Sequence, residues 1–148
     1  MTQFFDEREV VQIALSRVGK SRHKLYAAEH LVPDVVDCSS YLRWVFAQME
    51  VQLPRWASQQ ASMCRRITRD QVRAGDLVFM TSRNPKWSID HVGHIGLAIS
   101  NDRLVHAASC AHGVVTMSID RITPAQCGGR LVGYGRLCPN LLTTRLAA

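Results

Sequence analysis

Cys38 stands between Asp37 and Ser39 at the head of the run CSSYLRWVFAQM, whose apolar spacing predicts a helix over 38–49. Leu42, Val45, Phe46 and Met49 share one face of that helix, and Asp37 is a residue type that caps helix N-termini. A thiol at a helix start meets backbone N–H groups and the positive end of the dipole. Both favour the thiolate and lower the thiol pKa, as nucleophilic catalysis requires. The same N–H groups can donate to a developing oxyanion. A cysteine nucleophile also needs an imidazole to take its proton and a third group to orient that imidazole. The candidates are His91, His94, His106 and His112. His94 opens one predicted strand and His106 lies near the end of the next, on either side of the Asn101-Asp102 turn. Adjacent antiparallel strands can put both rings on one face, so that His106 steers His94.

The elements that must carry these residues are legible in outline. Residues 5–18 show a helical apolar stripe with acids in the first turn and Gly19 as a stop. Residues 20–36 are mixed and read as a loop, and a short third helix is expected over 56–64, after Pro54. From about residue 72 the pattern is that of strands: 76–80 behind a Gly75 turn, 94–100, 103–108, 114–119 and 131–137. Helices first and strands afterwards predict an α+β fold, with the helices packed on a five- to six-stranded antiparallel sheet. Residues 1–148 read as a single domain without repeat or linker.

Hydrophobic residues make up 47% and charged residues 20% of the 148, which excludes disordered and fibrous classes. The net charge of +6 suggests an anionic partner: nucleic acid, a membrane surface or a wall polymer. Arg65, Arg66, Arg69 and Arg73 lack the interleaved aromatics of a nucleic-acid patch, so they read as a solvated helix face and no nucleic acid is expected. The five cysteines include no CxxC pair, so no metal is expected. Cys64, Cys110, Cys127 and Cys138 read as small buried apolar side chains. No apolar run is long enough for a membrane span, and Asp6, Glu7, Arg8 and Glu9 interrupt any signal sequence. The expectation is synthesis in the cytoplasm without a signal peptide, with a signal-independent route to the wall left open. Trp44 and Trp56 read as packing residues, whereas Trp87, in a loop beside the presumed catalytic strand, can rim a cleft.

Taken together, these segments resemble the NlpC/P60 cysteine peptidases of bacterial cell-wall remodelling. The resemblance rests on Asp37-Cys38-Ser39-Ser40, on Leu53-Pro54-Arg55 with Gln59, and on Gly75-Asp76-Leu77-Val78-Phe79-Met80. His94-Ile95-Gly96-Leu97 and Val105-His106-Ala107 complete it, in the family's order over about residues 10–137. Ser40 stands where the family has glycine, and Ala27-Ala28-Glu29 replace a W-G-G segment. His91-Val92-Gly93 also spells a family motif. The twelve-residue spacing from His94 to His106, the family's usual separation, favours His94 over His91, which lies fifteen away.

The resemblance implies a papain-like, non-permuted fold in which Cys38 is the nucleophile, His94 the general base and His106 the orienting third residue. It implies that Tyr26 points its hydroxyl into the site, that Asp37, Ser39 and Arg55 line the substrate cleft, and that Asp37 meets a free amine on the substrate. The implied reaction is hydrolysis of D-γ-glutamyl–diamino acid bonds in peptidoglycan stem peptides through a thioester, with no cofactor. The partner would be peptidoglycan or a muropeptide, with an immunity or inhibitor protein as a further candidate. Two alternatives remain at this point. One is the same triad in an amidase, deamidase or acyltransferase, such as an antibacterial effector or a phage-associated lysin. The other is a non-catalytic module binding wall or nucleic acid.

Overall fold

The structure is a computed structural model, which describes residues 4–82, 91–124 and 129–139. The helix behind Cys38 forms over Cys38–Ala47 (α2), ending just short of its predicted limit. Asp37 caps it as expected. Its carboxylate accepts the Ser40 N–H at 2.8 Å, and Ser40 Oγ accepts the Asp37 N–H at 2.9 Å. Ser40, which stands in a glycine's place, is thus the second half of a capping box. Tyr41, Leu42, Val45 and Phe46 are fully buried and pack into one cluster with Ile95, Leu97, Val105 and Ala107. At roughly 1.5–3 kcal/mol per large apolar side chain, this face fixes the helix on the sheet. Glu7–Leu15 form α1, capped by the Asp6 carboxylate, and the helix buries Val10 and Ala14. The Tyr41 hydroxyl donates to the Ala14 carbonyl at 2.7 Å, tying α1 to α2. Ala57–Ala61 form a short α3.

Among the described residues eight strands make the sheet: Arg22–His23 (β1), Val35–Val36 (β2), Cys64–Ile67 (β3), Leu77–Met80 (β4), His94–Ala98 (β5), Arg103–Ala108 (β6), Gly113–Ser118 (β7) and Leu131–Leu137 (β8). Their order is β2-β1-β7-β6-β5-β4-β8-β3. All neighbours are antiparallel except β1 and β2. The α+β expectation holds, but the strand count exceeds the expected five to six. Two of the extra strands, β1 and β2, lie in the stretch read as a loop and are two residues each, too short to leave a period-2 pattern. The third, β3, corrects the reading of the arginine cluster. Arg65 and Arg66 lie exposed on an edge strand, where charge discourages further strand pairing.

The cysteines also depart from expectation. Cys64 and Cys138 are free and half-buried, but Cys110 is exposed and disulfide-bonded. Cys127 lies outside the described residues. Among the described residues no helix is long and apolar enough to cross a membrane.

The Gly75-Asp76 turn leads into β4 through a buried ion pair. Asp76 is fully buried, and Arg136 on β8 grips it from Nε at 2.8 Å and from Nη2 at 2.9 Å. The Arg73 N–H adds a third bond at 2.9 Å. Arg136→Met takes the guanidinium away from a buried carboxylate and is expected to cost about 3–5 kcal/mol in urea unfolding. Asp76→Asn in the same chain should return most of it. An unchanged midpoint in the single variant would contradict this role.

Candidate active site

The register of β5 and β6 pairs Leu97 with Val105 and Ala98 with Leu104. Continued toward the other end, it brings His94 and His106 onto the same face. α2 packs against both strands. The His94 Nε2 and His106 Nδ1 atoms are 2.8 Å apart, with the rings at 68°. Gly96 makes room for this. A Cβ on it would lie 3.0 Å from Leu104 Cδ1 and 3.4 Å from His106 Cβ. Cys38, at the first position of α2, has its sulfur against the Ile95 N–H, the Ser39 N–H and the Ser39 hydroxyl. The Ile95 N–H that faces the thiol follows His94 directly in the chain, so Cys38 sits beside the end of β5 that carries His94.

The electrostatics differ from the expectation in one respect. Burial, and after it the Asp37 carboxylate, push the Cys38 thiol up to about 11, overriding the N–H groups that favour the thiolate. The helix start therefore does not give a resting thiolate. Burial, helped by the nearby His23, pulls His106 down to about 4, so its ring is neutral at pH 7. His106 is fully buried, and its Nε2 has no hydrogen-bond partner among the described residues.

Asp37 does more than cap α2. Its Oδ2 accepts the Ala27 N–H at 3.0 Å and Arg55 Nη2 at 2.6 Å. Its Oδ1 accepts the Ser40 N–H, Arg55 Nη1 at 3.1 Å and the Ser39 hydroxyl at 3.3 Å. Arg55 donates further to Ser39 Oγ at 3.0 Å and to the Ala27 carbonyl at 3.3 Å. Both oxygens of this buried carboxylate are engaged within the protein. Asp37 and Arg55 clamp the Tyr26–Ala27 segment to the start of α2.

A cleft of about 310 Å³ opens over Cys38. Leu25, Tyr26, Trp56, Ala57 and Ser58 line it from one side of the sequence and Ser82, His91, Val92 and Gly93 from the other, with Asp37 and Ser39 beside the thiol. Thus Tyr26, Asp37 and Ser39 line the cleft; Arg55, expected to line it too, stands behind Asp37 and Ser39, and His91, the rival of His94, is among the lining residues while His94 and His106 are not. Trp87 lies outside the described residues. Trp56, read as a packing residue, is instead 44% exposed on the cleft wall. His23 was missed: it is half-buried within electrostatic reach of His106, Asp37 and the candidate imidazole His112. Its placement depends on the two-residue β1, which has no readable signal. Among the described residues no group of three His, Cys, Asp or Glu side chains is arranged to hold a metal.

Comparison with known proteins places this geometry. Residues 20–128 match the NlpC/P60 family. The chain is 32% identical over 123 residues to the probable endopeptidase p60 of Listeria monocytogenes, covering 83% of this chain and 23% of that protein. The chain therefore spans about a quarter of the length of that relative. NlpC1 from Trichomonas vaginalis superposes with a TM-score of 0.75 at 17% identity, over 93% of this chain and 46% of that one. RipD from Mycobacterium tuberculosis, described as a non-catalytic NlpC/p60 domain protein, superposes at 0.66 with 16% identity, over 88% of this chain and 95% of that one. With the family match spanning most of the chain and the papain-like fold shared by both structures, this protein belongs to the NlpC/P60 family.

Proposed function

We propose that the chain is a cysteine peptidase that hydrolyses D-γ-glutamyl–diamino acid bonds in peptidoglycan stem peptides. The observation that carries this reading is the 2.8 Å contact between His94 Nε2 and His106 Nδ1 beside the Cys38 helix start. With His106 neutral, His94 donates from Nε2 to His106 Nδ1 and presents Nδ1 as the acceptor for the thiol proton. The Cys38 sulfur then attacks the γ-carbonyl carbon while His94 takes the proton. The carbonyl π electrons move onto oxygen, where N–H donors at the helix start stabilise them. Collapse of that oxyanion expels the amine of the diamino acid, which takes the proton from His94 and leaves a thioester on Cys38. Water, deprotonated by His94, attacks the thioester and releases the γ-carboxyl product and the thiol. His106 stays neutral throughout and fixes the ring.

Site of action follows the same reading. The exposed disulfide at Cys110 fits an oxidising compartment outside the cytoplasm, where wall polymer lies. Digestion of purified peptidoglycan, followed by mass spectrometry of the soluble fragments, tests the reaction. Endopeptidase action leaves fragments ending in D-glutamate and others beginning with a free diamino acid. A small mass gain, from one amide nitrogen replaced by oxygen, would indicate a deamidase. Sedimentation with the wall and no new fragment would indicate a binding module of the RipD kind.

A further inference from the structure

The cleft wall opposite His91 exposes three apolar side chains: Leu25 at 65%, Tyr26 at 71% and Trp56 at 44%. Large apolar groups this open on a soluble domain, grouped at one cleft, are characteristic of ligand-binding grooves. They are also held in place. Arg55 lies 4.3 Å from the Trp56 ring centroid, and its charge is met by Asp37 on its other contacts. Tyr26 packs edge-on against Trp56, centroids 5.9 Å apart at 84°. Tyr26 takes a φ of 54°, a left-handed conformation that an aromatic residue adopts at a cost. The bonds from Ala27 to Asp37 and Arg55 hold it there. An exposed aromatic in a strained backbone, braced by a buried ion pair, is a surface kept rigid before any ligand arrives.

We propose that Trp56, with Tyr26 and Leu25, forms an aromatic shelf that binds the saccharide end of a muropeptide and so selects stem peptides still joined to their amino sugar. Pyranose rings present C–H faces that stack on aromatic rings, and Tyr26 and Trp56, set edge to face at 84°, bring two exposed aromatic rings to the cleft wall. This inference rests on the proposed peptidase reading for the nature of the ligand, and it concerns binding, not bond cleavage.

The test uses Cys38→Ala protein, so that no turnover is needed, titrated calorimetrically with N-acetylmuramyl tripeptide and with the same tripeptide lacking the sugar. The shelf predicts tighter binding of the sugar-bearing ligand by about five- to tenfold, with the difference abolished by Trp56→Ala and largely kept by Trp56→Phe. Thermal unfolding of each variant checks that the fold is intact. Equal affinity for the two ligands, or a preference that survives Trp56→Ala in a folded protein, overturns the inference. Activity is read separately on wild-type protein. Sugar-dependent binding without hydrolysis would sink the peptidase reading and leave the shelf standing, and hydrolysis without sugar-dependent binding would do the reverse.

Discussion

Cys38→Ala is expected to lower hydrolysis of muropeptides by roughly 10³–10⁶-fold, as removal of a covalent nucleophile does, with urea stability close to wild type. The thiol meets the Ile95 and Ser39 N–H groups without holding the helix in place, since the cap is built by Asp37 and Ser40. The pH behaviour makes the test sharper. With the thiol pushed up to about 11 and His106 down to about 4, the resting site holds a neutral thiol and a neutral His106. Proton transfer then accompanies attack, and no ion pair precedes it. Alkylation of Cys38 by iodoacetamide should therefore be slow at pH 7 and climb about tenfold per pH unit toward pH 11. Peptide mass spectrometry separates it from the free thiols Cys64 and Cys138. A rate already at its plateau below pH 8 would show a resting thiolate and defeat this account. Full activity in Cys38→Ala would defeat the nucleophile assignment itself.

The outline of this site was legible because its parts carry strong local signals. Asp37 before an apolar-periodic run announces a capped helix, and β4 to β8 are long enough to show strand character. The spacing of His94 and His106 across a tight turn was sufficient to pair them, and the 2.8 Å contact agrees. Other features depend on tertiary context. β1 and β2 exist because β7 offers an edge to pair with, so His23 reaches the histidine pair without any pattern of its own. Trp56 looks like a core residue until Arg55 is seen to be stacked on it from the buried side. The thiol pKa was misread for a related reason. The helix start is local, whereas the burial that outweighs it comes from α2 lying against β5 and β6.

Arg55→Met is expected to be the most damaging single change near the cleft, costing about 3–5 kcal/mol at pH 7. Asp37 is 4% exposed, and losing the guanidinium removes its only salt-bridge partner among the described residues. The sign of the pH dependence distinguishes this cause from lost packing. Burial pushes the Asp37 carboxyl up, but hydrogen bonds from Arg55 and then Ser40 outweigh it and hold the group below its usual range. A depressed folded pKa contributes stability that is present above the unfolded value, about 3.9, and is lost as pH falls through the folded one. In Arg55→Met the burial effect remains while its main opponent is gone, so the folded pKa rises and that contribution vanishes at neutral pH. The deficit against wild type should therefore be largest near pH 7 and shrink as pH falls through the raised pKa of the variant and then through the depressed one of the wild type. Urea unfolding at pH 7 and at pH 3.5 reads this directly. An equal deficit at both would assign the loss to packing on Trp56. Arg55→Lys keeps a charge but not the two-pronged grip on Asp37, Ser39 and Ala27, so it should fall between the two. Activity should drop more steeply than stability in both variants. The clamp fixes the strained Tyr26 segment against the residue preceding Cys38, and a nucleophile displaced by about 1 Å loses on the order of a hundredfold in rate.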